Sequence, residues 1–396
     1  MKIFRSRVFP NHFLYCLFIL IITVNLFCAR EYVAPKYHEP WTRTRTYPME
    51  KKFPLGEYKT VRVNKETMPD FRRNLLIISK KVFSVTMSYD AKKYALVMED
   101  IGYPKLFYLE PENLVLQEFS YAYGFCDEAP VMTKDGNVIY FVSDRFGNKE
   151  IYRADRSQFL AKSPYLVDLI VDNLHDNFDI CIDYEGTKLA YISKKEDRSR
   201  VYIKNIADGT EFSPSHHTEY AVKPLLSGDG KFCIYTVYNR MGLMVILSDL
   251  EKKVNTLVTD FMKHESLPAV NGTGARIAFT GKRNYLVHDM YMYDRTENVL
   301  FNITDDMKSD DTCPNISDDG KVIAYQADGQ WDQKSIRVID ERTKNIFWFH
   351  EYRTHMVKPQ LSADGNTLIF QVNEVWVTAD LEAVRKHFAE KAGTNG

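Results

Sequence analysis

Apolar residues recur along the chain in short runs, and the same turn chemistry interrupts them at nearly constant intervals. The clearest stretch is residues 130–155, PVMTKDGNVIYFVSDRFGNKEIYRAD. Val131-Met132-Thr133 leads into a turn that carries Asp135-Gly136. Residues 138–142 are β-branched and aromatic, as strands are. Residues 143–148 form a second polar turn, and Ile151-Tyr152 opens a third run. An Asp-Gly pair between apolar runs predicts a tight hairpin, because Gly takes φ > 0 without steric cost. A meander of this kind buries one face and needs neighbours.

The neighbours are copies of itself. The last residue of the turn falls at Ala91, Gly136, Gly186, Gly230, Gly274, Gly320 and Gly365, in steps of 45, 50, 44, 44, 46 and 45 residues. Six residues before each marker stand Val85, Pro130, Ile180, Pro224, Pro268, Pro314 and Pro359. After each marker comes an apolar run, such as Leu189-Ala190-Tyr191-Ile192 or Ile323-Ala324-Tyr325. A period in the forties with four short strands per copy predicts an all-β, seven-bladed β-propeller with four-stranded blades.

The pattern resembles the TolB-type, WD-repeat-like propeller unit, in which Pro-x-x-Ser-x-Asp-Gly precedes an apolar strand and then Ser-Asp-Arg-x-Gly-Asn-x-x-Ile-Tyr. Ser143, Asp144, Arg145, Gly147, Asn148, Ile151 and Tyr152 carry the second half. Ser317, Asp319 and Gly320, with Ser362, Asp364 and Gly365, carry the first. The resemblance covers roughly residues 74–380. It implies the fold and leaves the activity open, since propellers host unrelated functions. TolB itself has an α/β domain ahead of its propeller, and here only a Pro-containing stretch stands in that place.

Outside the repeats, Lys2, Arg5 and Arg7 precede an apolar run over residues 13–27, shorter than the roughly 20 residues a spanning helix needs. This predicts a signal peptide over 1–27 and export to the periplasm or cell surface. Leu26-Phe27-Cys28-Ala29 resembles a bacterial lipoprotein cleavage site, which makes Cys28 the expected lipidation position. Signal cleavage nearby and an uncleaved anchor stay open. Residues 28–72 carry Pro35, Pro40, Pro48 and Pro54 and are expected to form an extended, lipidated tether. Within it, residues 57–63 alternate and suit an edge strand. Residues 73–396 make up the propeller.

The seventh repeat lacks a fourth strand. The apolar stretch 74–79 resembles the last strand of other repeats and is expected to complete that blade and close the ring. After it, Asp380 as N-cap and Leu381, Val384 and Phe388 at helical spacing predict a short C-terminal helix.

Composition changes the picture little. The 396 residues carry a net charge of −1, and losing residues 1–27 removes three positive charges, leaving about −4. No basic field or aromatic-basic stripe suits a nucleic acid. Cys126, Cys181, Cys233 and Cys313 stand singly in different repeats. Buried thiols are the bland reading, with one disulfide open in an exported protein.

Candidate chemistry is sparse. No Gly-x-Ser-x-Gly elbow, HExxH, P-loop or EF-hand pattern is present. Asp135-Gly136, Gly186, Gly230, Gly274, Gly320 and Gly365 read as structural turn residues. His175, His216, His217, His264 and His355 lie in segments leading into the first strand of a repeat. With Asp176, Asp310 and Asp311 they could ring one mouth of the channel. Of these, His216, His264, Asp311 and His355 are weak metal candidates, and no resident metal or cofactor is expected. The loops between second and third strands should face the same end. They carry Arg145, Arg198, Arg240, Arg283 and Trp331, residue types enriched at binding hot spots.

The resulting expectation is a monomeric, non-catalytic module that binds another envelope protein. The alternatives are a carbohydrate-binding or carbohydrate-cleaving propeller, or a metal-dependent enzyme using the mouth His and Asp residues.

Overall fold

The computed structural model describes residues 41–393 apart from 76–80, 114, 120–123, 157–166, 196–197, 217–218, 240–241, 259–262, 283–286, 305–308 and 329–332. Cys28 and the cleavage region, Arg240, Arg283, Trp331 and residues 76–79 of the closing stretch lie outside these.

Each repeat folds into one antiparallel blade, and seven blades make the ring. They span residues 82–118, 127–171, 176–212, 220–257, 263–302, 310–349 and 356–380, numbered 1 to 7. Seven apolar clusters hold them, one between each pair of neighbouring blades. The contribution comes from alternation: each strand sends side chains to two faces, and both faces of every blade are covered.

The Pro landmark has a physical origin. In blades 2, 3, 4, 6 and 7, the residue before the landmark has a positive φ between 49° and 55°: Ala129, Asp179, Lys223, Cys313 and Lys358. The pairing register shifts there. This is a β-bulge on the innermost strand, the edge of each sheet, where a residue without an N–H costs no ladder bond.

The turn motif is equally mechanical. Ser227 Oγ bonds Asp229 Oδ1 at 2.6 Å, Asp229 Oδ1 accepts from Lys231 N, and Ser227 Oγ accepts from Phe232 N. The same three bonds recur from Ser88, Thr133, Ser317 and Ser362. The Gly that follows takes φ of +66° to +72° from Gly136 to Gly365. These turns define the hairpin end of the propeller. The opposite end, with the interblade connections and the loops between second and third strands, is the loop end.

Residues 41–63 are extended but do not form a free tether. Strand β1 (Thr42–Arg45) pairs parallel with the outermost strand of blade 4, β2 (Met49–Lys52) with that of blade 5, and β3 (Lys59–Val63) with that of blade 6. Three blades therefore have five strands rather than four. The strap also buries Phe53, Tyr58, Val61 and Val63 in the cores of blades 5 to 7. The expected edge strand at 57–63 is β3, and the two strands before it were hidden by Pro40, Pro48 and Pro54.

Strand β4 (Arg73–Asn74) pairs antiparallel with Val375–Asp380, and Leu75 N extends that ladder to Trp376 O. The N-terminal segment thus supplies the outer strand of blade 7 and closes the ring. Helix α1 (Leu381–Gly393) follows, with Asp380 Oδ1 accepting from Ala383 N at 2.9 Å as an N-cap. Leu381 and Val384 are fully buried beneath blades 6 and 7.

Candidate binding surfaces at the two ends of the channel

The loop end carries the exposed apolar side chains. Phe83, Ile101, Tyr103, Phe146, Leu174, Tyr220, Tyr238, Tyr352 and Val375 all lie at strand ends or loops there. Phe146, Leu174, Tyr352 and Ile101 are 73–78% exposed. Among the described residues, no large exposed apolar side chain lies in a turn between first and second strands. These side chains make the loop end the candidate contact surface. The remaining exposed apolar residues, Tyr47, Met49, Leu116 and Leu169, are on the strap and the outer strands.

The predicted hot-spot residues divide. Arg145 does not point to solvent. Its side chain is 9% exposed, pairs with fully buried Asp127 at 3.1 Å and stacks 4.5 Å from the centre of the Tyr152 ring. It locks its own loop and leaves the neighbouring Phe146 outside. A large apolar residue in a Gly-containing polar turn was the available signal for this position. Arg198 is exposed at the start of the third strand of blade 3.

Two of the mouth histidines named as metal candidates can be placed. His216 and His355 are exposed in the connections to blades 4 and 7. Asp311 is buried and accepts from Ser309 Oγ at 3.0 Å. The side chain of His264 lies outside the description. Among the described residues, no three of His, Cys, Asp and Glu come together as a group that could hold a metal. A pair that sequence spacing did not suggest is present: His288 Nδ1 lies 2.8 Å from Asp310 Oδ1. Burial opposes ionisation of Asp310, and the hydrogen bonds from His288 outweigh it and hold the carboxyl below its ordinary value.

The hairpin end is joined blade to blade. Successive turns join by backbone hydrogen bonds: Tyr89 N to Lys134 O, Lys134 N to Tyr184 O, Tyr184 N to Gly228 O, Asp229 N to Gly272 O, Gly272 N to Asp318 O, Asp318 N to Ala363 O and Asp364 N to Tyr89 O. Seven blades thus complete a backbone ring. The second residue of each turn meets the others here, and that residue varies: Tyr89, Lys134, Tyr184, Gly228, Gly272, Asp318 and Ala363. Tyr89 Oη donates to Asp318 Oδ2 at 2.7 Å, from blade 1 to blade 6. The rings of Tyr89 and Tyr184 meet edge-on at 5.3 Å. Burial, then the bond to Asp318, pushes the Tyr89 phenol up to about 12. Two glycines make the room. A Cβ on Gly228 would lie 2.1 Å from the Tyr184 ring, and one on Gly272 would lie 1.4 Å from Asp318 Oδ1.

No protein-family model and no curated protein sequence matches the chain. Among solved structures, an oligogalacturonate lyase from Vibrio parahaemolyticus is similar, with 12% identity over 78% of this chain and 92% of that one and a TM-score of 0.61. An oligogalacturonate lyase in complex with manganese gives 11% identity, 78% and 89% coverage and a TM-score of 0.59. TolB from Acinetobacter baumannii gives 12% identity over 76% of this chain and 78% of that one, at a TM-score of 0.43. At these identities the likeness is one of fold.

Proposed function

We propose that the protein is a non-catalytic binding module whose loop end docks another protein, and that it works in the bacterial cell envelope. The observation that carries this reading is the gathering of exposed aromatic and aliphatic side chains on the loop end, displayed by varied loops on a rigid ring. Export rests on the basic, apolar leader ending at Cys28, and attachment through that Cys belongs to the same proposal.

The test uses the full chain, bearing a C-terminal tag, in the cells that produce it. Envelope proteins captured by the native chain are compared with those captured by a Phe146→Ser, Tyr238→Ser variant. Loss of specific partners with an unchanged thermal midpoint supports the proposal. The same preparations are assayed on oligogalacturonate. Cleavage that survives the double substitution contradicts the non-catalytic reading.

A further inference from the structure

The hairpin end contains a cation site already occupied by the chain's own ammonium. Lys134 Nζ lies 4.5 Å from the centre of the Tyr89 ring and 5.8 Å from that of Tyr184. The two rings stand at 85° to each other, so they present two walls to one point. Aromatic faces attract cations through the ring quadrupole, and paired rings of this kind recognise ammonium groups. Lys134 makes no ion pair among the described residues, so the rings hold it rather than a carboxylate.

Outside these rings lies a cavity of about 420 Å³, lined by Tyr89, Lys134, Tyr184 and the carboxylates Asp90, Asp135 and Glu185. Its size falls in the range of small-ligand sites. Behind the rings, on the channel side, is a second space of about 220 Å³. The Tyr–Lys group therefore separates two cavities, and the outer one has an acidic rim and an aromatic floor.

We infer that this cavity binds an alkylammonium group, supplied either as a free amine or by a lysine side chain, and that Lys134 is an internal competitor for it. The ligand's ammonium takes the place of Lys134 Nζ between the rings, and Lys134 swings towards Asp90, Asp135 or Glu185. This site is at the opposite end from the proposed docking face and does not depend on that reading. An internal group that fills the site about nine tenths of the time lowers the apparent affinity about tenfold.

Isothermal titration of the full chain at low salt tests the inference with two probes: 1,5-diaminopentane, and a lysine flanked by glycines with both ends blocked. The Lys134→Met variant should bind at least one probe about tenfold more tightly than the native chain. Lys231→Met removes the same charge from the equivalent turn of blade 4, away from the rings, and should change affinity by less than about twofold. Adding Tyr89→Leu to Lys134→Met should cancel the gain. Tighter binding of the diamine identifies a free amine as the source, and tighter binding of the peptide identifies a protein-borne lysine. The inference is overturned if Lys134→Met gains nothing with either probe, if Lys231→Met gains as much, or if uncharged 1,5-pentanediol binds as well as the diamine.

Discussion

At the scale of single residues, the repeat is held by a few short-range bonds that the sequence shows plainly. Ser-x-Asp-Gly works because its hydroxyl and carboxylate cap the hairpin's free N–H groups while Gly supplies the positive φ. Asp90, Asp135 and Asp319 are exposed; partial desolvation opposes their ionisation, yet hydrogen bonds from the turn outweigh it and hold the carboxyls below their ordinary value. A depressed folded-state pKa gives stability that is present above the unfolded value, near 4, and is lost as pH falls through the folded one. Stability should therefore fall below about pH 4, and Asp135→Asn with Asp319→Asn should flatten that acid limb in thermal unfolding curves. The second residue of each turn was not legible, because its partners lie across the channel and not in the repeat. Its importance gives a sharp expectation. Gly228→Ala forces the Tyr184 ring aside and should cost about 1–3 kcal/mol, whereas Gly56→Ala, with nothing within 4 Å of its Cβ, should be nearly silent.

At the scale of elements, the outer edges of the blades explain where the strap goes. The outermost strands of blades 4, 5 and 6 read VNTL, VLFN and NIFWF and carry no charge; β1, β2 and β3 cover them. Those of blades 1, 2 and 3 read VLQE, DLIV and EF, and each holds one carboxylate, which opposes pairing with a further strand. Deleting residues 41–63 should thus bare three uncharged edges and remove Phe53, Tyr58, Val61 and Val63 from the core. At about 2 kcal/mol for each buried side chain, the loss rivals the whole stability of a domain, about 5–15 kcal/mol. Light scattering on heating should show early aggregation. Strand β3 was legible from its alternation, whereas β1 and β2 escaped sequence reading because prolines dominate locally and their partners lie more than two hundred residues away. The helix, in contrast, was legible from Asp380 and the spacing of its apolar face, and Asp380→Ala should cost about 1 kcal/mol in thermal unfolding.

At the scale of the whole molecule, the number of blades and the closure through the segment before blade 1 follow from the seven registers, because a ring without free edges needs the missing strand of blade 7. The channel has two unlike ends as a consequence. The hairpin end is ringed by backbone hydrogen bonds and carries a Tyr–Lys–Asp cluster, and the loop end displays varied loops with apolar tips. Sequence reading placed recognition on the loop end and gave weight to Arg145, which Asp127 and Tyr152 hold inside its own blade. The most direct test places a photoreactive amino acid at Phe146, at Tyr238, and at Leu116 on the outer rim, in the cells that produce the protein. The account predicts one discrete protein adduct, shared by positions 146 and 238 and missing at 116. Adducts from position 116 alone, or none from 146 and 238, would contradict a docking face at the loop end.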